Sequence, residues 1–267
     1  MYNKLEQRGL RNYFFFTYLL FWILIGVIGF LISLDVPALY QTILKNVCAW
    51  TPTFVILLMF KKLYPNTHLR DFFKSNFLGK TKPRYFIIIF LSQTAIFLGI
   101  VLVYMALNNL RLESIPFISA SGLVPALLIT ATGGALGEEL GWRAYALNVF
   151  QKKYSPLKSA LFVGLVWGFW HLPLMIFSGY SGLELLYYCF FFLMAVLSLS
   201  VVITFFYNKG RSVLIAIWIH FLFNFSIALV TIDVLQLMIY LSAGYLLLAI
   251  ILLITNKKEL LSNRNDF

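Results

Sequence analysis

The sequence predicts an all-α, polytopic membrane helix bundle of about eight transmembrane helices, and two observations carry that prediction. Of the 267 residues 61% are hydrophobic and only 12% charged, where soluble domains hold roughly half and a quarter, so a water-soluble core under a charged surface is excluded. The apolar residues also fall in runs long enough to span a bilayer, which takes about 20 residues each. These runs occupy 14–34, 42–60, 85–107, 123–150, 156–177, 185–207, 212–231 and 234–255.

The first run follows Lys4, Arg8 and Arg11, as a secretory signal would. It is longer than a signal core and no A-x-A-like site follows, so it reads as a retained anchor. Lys45 and Pro52 interrupt the second run, the weakest of the set. Between the second and third, Leu69, Phe72, Phe73 and Phe77 alternate with Arg70, Asp71, Lys74 and Asn76; that spacing predicts a short amphipathic helix lying in the membrane interface. Cys48 and Cys189 sit in different runs on no metal-like or redox-like spacing, and read as packing residues. With no repeat, linker or low-complexity tract, residues 1–267 form a single integral membrane domain, its core at about 121–231.

The net charge of +11 raises nucleic acid as a partner, and its distribution argues against it. With the amino terminus placed in the cytoplasm, every Lys and Arg except Lys45 and Arg111 falls in an inside segment. That asymmetry is the positive-inside pattern. It predicts both termini cytoplasmic, a plasma-membrane location, and attraction to anionic membrane lipid; no nucleic-acid partner is expected.

Three polar constellations interrupt this apolar background: Glu138, Glu139 and Arg143 in GEELGWR, His171 in WGFWHLP, and His220 with Asn224 in WIHFLFN. Ionisable groups at membrane depth are costly and persist mainly where they line a cavity or do chemistry. Helical rise allows their depths to be compared. Counting 14 residues back from Lys152 to Glu138, 13 forward from Lys158 to His171, and 9 and 13 forward from Arg211 to His220 and Asn224 puts them roughly 21, 20, 14 and 20 Å above the cytoplasmic boundary. Three helices thus bring polar groups to one layer, provided the fourth run continues unbroken to about Phe150 past Gly137 and Gly141, the residues able to interrupt it. The expected result is a shared wet pocket opening toward the cytosol.

Glu139 and Arg143 lie four apart and face each other, while Glu138 is turned by about 100°. Arg143 is therefore expected to neutralise Glu139 and leave Glu138 free to act. His220 and Asn224, also four apart, look into the same space. In such a pocket Glu138 with His171 can deprotonate a water, and His220 and Asn224 can hydrogen-bond a carbonyl oxygen as it becomes an oxyanion. The implied reaction is peptide hydrolysis inside the membrane, without a covalent intermediate and without a required cofactor. An alternative uses Glu138, His171 and His220 as zinc ligands around an open position, although no H-E-x-x-H helix is present.

The order EExxxR, aromatic-xxx-His and HxxxN over consecutive spans resembles the CPBP (CAAX protease and bacteriocin-processing, or Abi) family, which includes the type 2 CAAX prenyl endopeptidases. The similarity covers roughly residues 133–226. It implies Glu138 as the water-activating base assisted by His171, Glu139 and Arg143 in support, and His220 with Asn224 as the oxyanion site. It also implies a peptide or lipidated protein C-terminus as substrate. The family usually has Phe four residues before the middle histidine, where this chain has Trp167.

Taken singly, a buried Glu-Arg pair, an intramembrane histidine or an asparagine is ordinary interhelical glue; their meeting at one depth favours a functional site. A catalytically silent peptide-binding or bacteriocin-immunity protein would keep the same pocket. A proton-coupled transporter is disfavoured, because no pair of broken helices recurs in matching halves.

Overall fold

The computed structural model describes residues 4–79 and 81–263; Lys80 and Arg264, which entered the charge argument, lie outside them. Among the described residues the regular elements are all helical: α1 (Lys4–Ser33), α2 (Ala38–Ala49), α3 (Thr51–Leu63), α4 (Leu69–Phe77), α5 (Pro83–Asn108), α6 (Ala120–Phe150), α7 (Pro156–Trp170), α8 (Gly182–Gly210), α9 (Val213–Ala228), α10 (Val234–Thr255) and α11 (Lys257–Leu261). The molecule is an all-α, multi-pass membrane bundle.

Each predicted apolar run is occupied by helix, but not all are simple spans. Among the described residues α1, α5, α6, α8 and α10 are long and apolar enough to cross a membrane; α2 and α3 pass the test together as a pair bent by 44°, and α7 and α9 are shorter apolar helices. The bend at Trp50 has its cause in Pro52, which sits in the first turn of α3 and cannot donate a backbone hydrogen bond to α2. Proline also ends α7. Pro173 would remove the hydrogen bond to Phe169 and its ring would crowd that carbonyl, so the helix stops at Trp170, one short turn follows at Leu172–Met175, and His171 is left at the joint. The other end of α7 is set by Pro156 at its first position and by Ser155, whose hydroxyl caps the Lys158 amide.

The bundle is organised around α8, with 61% of its apolar window buried against 22% for α1 and α5. It packs along α7 on one side and α10 on the other. Close approach to α7 is possible because Gly164 and Gly168 present no side chain to α8: a Cβ on them would lie 3.1 Å from Ser200 Cβ and 2.6 Å from Leu193 Cδ1. Ser200 then reaches the Ala160 carbonyl at 2.8 Å, the small-residue packing by which helices associate in lipid. On the far side, Gln93 of α5 donates to the Ile219 carbonyl at 3.3 Å and accepts from Tyr245 at 2.5 Å, fastening α5, α9 and α10.

The predicted interfacial helix is α4. Its Phe72 is buried against Phe60 and Tyr64 at the end of α3, and Ser212, at the start of α9, donates to the Phe77 carbonyl. At the opposite end, backbone bonds from Ile118 to Leu229 and from Thr231 to Pro116 clip the entry to α6 onto the exit from α9. The two helices that carry most of the polar groups are held together there.

Candidate active site

The site is built around an irregular stretch of α6. This helix contains two π-helical segments, Ala131–Ala135 and Leu140–Leu147, and leaves helical geometry altogether at Gly133 (φ −87°, ψ 28°) and Gly134 (φ 175°, ψ −78°). The run assumed continuous is thus broken, not at Gly137 or Gly141 but one turn earlier, N-terminal to the carboxylates. In lipid a broken helix must find other partners for its carbonyls. The bent pair α2–α3 supplies them: Trp50 Nε1 donates to Thr132 O at 2.8 Å, and Thr53 Oγ1 to Gly137 O at 2.7 Å. Asn46 Oδ1 accepts from the Thr132 hydroxyl at 2.9 Å. Irregular turns of this kind are frequent at functional sites.

Glu139 and Arg143 pair as expected, at 3.1 Å and fully buried. The same oxygen, Glu139 Oε1, also accepts from His220 Nδ1 at 2.7 Å. Glu139 therefore does more than neutralise Arg143. By accepting the Nδ1–H hydrogen bond it fixes the His220 ring and directs Nε2 away from itself. Arg143 lies 4.3 Å over the ring of Trp167, a desolvated cation-π contact that joins α6 to α7.

Glu138, 3% exposed, is held through Oε2 alone, which accepts from Trp167 Nε1 at 2.5 Å and Trp142 Nε1 at 3.3 Å. Its other oxygen faces Gly134. A Cβ placed on Gly134 would lie 2.9 Å from Asn224 Nδ2, 3.3 Å from Glu138 Oε1 and 3.4 Å from His220 Nε2. A carboxylate of α6 and an imidazole and carboxamide of α9 thus converge on one point above a residue that has no side chain to fill it.

The His171 Nδ1 donates to the Trp167 carbonyl at 2.8 Å, and its ring packs against Trp167, Trp170 and Phe192; the direct hydrogen bonds to Glu138 come from the two indoles. The reason is local, because at the end of α7 the carbonyl four residues back is the nearest acceptor. Sequence reasoning missed Trp142, the indole N–H of Trp167, and Gly134. Trp142 could have been found, since it lies four residues beyond Glu138 on the same helical face.

Of the zinc alternative through Glu138, His171 and His220, the geometry gives one observation: among the described residues no three His, Cys, Asp or Glu side chains are grouped to hold one ion. A cavity of about 810 Å³ lies where α1, α3, α4 and the end of α6 meet, and Tyr145 is part of its wall, but none of the six polar site residues lines it. Between them runs a chain of aromatic contacts, Tyr145 to Tyr13 at 4.9 Å and Tyr13 to Trp142 at 6.1 Å.

Residues 120–226 match the family described as Type II CAAX prenyl endopeptidase Rce1-like. Among curated proteins, CAAX prenyl protease 2 of Methanococcus maripaludis is 32% identical over 115 residues, a stretch covering 41% of this chain and 42% of that protein. The family match contains all six polar residues with Gly134 and Trp167, and leaves out α1–α5, which contribute Asn46, Trp50 and Thr53. Over residues 120–226 the chain is thus similar to the Rce1-like type II CAAX prenyl endopeptidases, the resemblance its three motifs predicted.

Proposed function

We propose that the chain is an intramembrane endopeptidase that hydrolyses a peptide bond near the C-terminus of a lipidated or membrane-associated peptide. The observation that carries this reading is the convergence of Glu138 Oε1, His220 Nε2 and Asn224 Nδ2 within 3.4 Å of one point above Gly134. Hydrolysis needs such a point, close to both a base and oxyanion donors.

Glu138 takes a proton from water, and the resulting hydroxide adds to the scissile carbonyl. Asn224 Nδ2–H donates to the oxyanion, as does His220 when Nε2 is protonated. With His220 protonated, the two cations His220 and Arg143, both held by Glu139, match the two carboxylates Glu138 and Glu139, so the buried set is neutral overall and avoids an uncompensated charge in lipid. Collapse of the tetrahedral intermediate breaks the C–N bond, and the proton gained by Glu138 passes to the leaving amine. His171, with Nδ1–H committed to the Trp167 carbonyl, keeps Nε2 as a lone pair able to relay that proton. Every step uses the chain's own side chains, with no metal ion required. The prenylated substrate class is supported by the similarity to CAAX prenyl protease 2.

The test is incubation of the chain in nanodiscs with a prenylated peptide ending in a CAAX sequence, read by mass spectrometry. Wild type is expected to shorten the peptide, and Glu138→Ala and His171→Ala to leave it intact while melting normally. Cleavage by both variants at the wild-type rate, or none by wild type, would overturn the proposal.

A further inference from the structure

The 810 Å³ cavity is separate from the hydrolytic site and has a chemistry of its own. Its wall carries three cations, Arg8 at the start of α1, Lys62 in the last turn of α3 and Lys152 just after α6, and its only acidic residue is Glu6. Glu6 pairs with Lys152; among the described residues no ion pair engages Arg8 or Lys62. The rest of the wall mixes polar groups, among them Ser75, Asn76 and Asn148, with an apolar part formed by Leu63, Phe72 and Val149. The volume falls within the range of small-molecule sites, roughly 300–1,000 Å³.

A free anion would match the cations and leave the apolar wall without a partner, whereas an amphiphile satisfies both. All three cations lie at the ends of membrane-crossing elements, beside the amphipathic α4, at the level where lipid headgroups reside. Basic pockets between helices on the positively charged side are suited to anionic headgroups, and guanidinium to bidentate phosphate contact. We infer that this cavity binds the phosphate headgroup of an anionic lipid, held by Arg8, Lys62 and Lys152, with the lipid bridging α1, α3 and the end of α6. The inference is independent of the peptidase reading.

The test is native mass spectrometry of the full chain extracted from nanodiscs containing equal phosphatidylglycerol and phosphatidylcholine. Wild type should retain phosphatidylglycerol in preference. The double variant Arg8→Gln/Lys62→Gln should lose that preference by roughly twenty-five-fold, given about fivefold for each basic group near the surface. The double variant Arg70→Gln/Lys74→Gln removes the same charge from α4 outside the cavity wall and should retain it, and Arg8→Lys/Lys62→Arg should restore it. Equal loss in the two Gln pairs would assign the lipid to diffuse surface attraction and overturn the inference. So would an absence of headgroup preference in wild type, or displacement of the lipid by millimolar inorganic phosphate.

Discussion

Adding one methyl group at Gly134 tests the convergence point without altering any ionisable residue. In Gly134→Ala the new Cβ would sit 2.9 Å from Asn224 Nδ2, and ordinary contact begins at 3.4 Å, so the carboxamide must retreat by ~0.5 Å. The methyl would also stand 3.3 Å from Glu138 Oε1 and 3.4 Å from His220 Nε2, occupying the place assigned to the reacting oxygen. Losing one oxyanion donor typically costs about 10²–10³ in kcat, and the same fall is expected here. Overpacking of this kind destabilises by about 1–3 kcal/mol, which leaves the protein folded. The assay is hydrolysis of a quenched, prenylated peptide in proteoliposomes, with the melting temperature measured in parallel. A folded variant whose kcat stays within about threefold of wild type, a barrier change of only ~0.6 kcal/mol, would refute the assignment of this point.

Other substitutions probe the supporting geometry. Trp167→Phe keeps a ring beneath Arg143 but removes the 2.5 Å hydrogen bond to Glu138; a bond to a charged group contributes about 1.5–3 kcal/mol, so kcat should fall by roughly 10- to 150-fold. Trp142→Phe, losing a 3.3 Å contact, should have the smaller effect, and the reverse ranking would contradict the placement of Glu138. Thr53→Val leaves the Gly137 carbonyl without its side-chain donor and should lower both melting temperature and kcat, with an expected cost of about 1–3 kcal/mol; Thr53→Ser should recover both, and failure to do so would argue against the hydroxyl. At the other end of the molecule Asp233 caps α10 through the Gln236 amide. The Tyr180 hydrogen bond holds its carboxyl below the usual value of 3.8. A depressed pKa means the stabilisation is present above that value and disappears as pH falls through the folded-state pKa. Asp233→Ala should therefore cost about 1 kcal/mol at neutral pH, and thermal melts should show the difference shrinking as the pH is lowered below 3.8; a difference that does not change at any acid pH at which the protein stays folded would contradict this.

The helices were legible because bilayer length and apolar runs are tightly linked, and the motifs because charge in lipid is costly enough to stand out. Glu139 with Arg143, and His220 with Asn224, came together as their four-residue spacing required. Tertiary hydrogen bonding was not legible. A break in α6 could have fallen at any of four glycines between Gly133 and Gly141, and the choice depends on where Trp50 and Thr53 can receive freed carbonyls. Depth alone could not give the orientation of His171, whose Nδ1 is bound to the Trp167 carbonyl at the end of α7 fixed by Pro173. The role of Trp167, where the family usually has Phe, was not legible because its indole N–H has significance only once α6 lies alongside.

The most direct measurement of the central claim is turnover of a prenylated peptide by Glu138→Gln, which keeps the shape of the side chain and removes its ability to take a proton. General-base catalysis contributes about 10²–10⁴ in rate. A loss of that size, with the melting temperature and peptide affinity of wild type, is the predicted result; turnover within a few-fold of wild type would contradict Glu138 as the base that activates water.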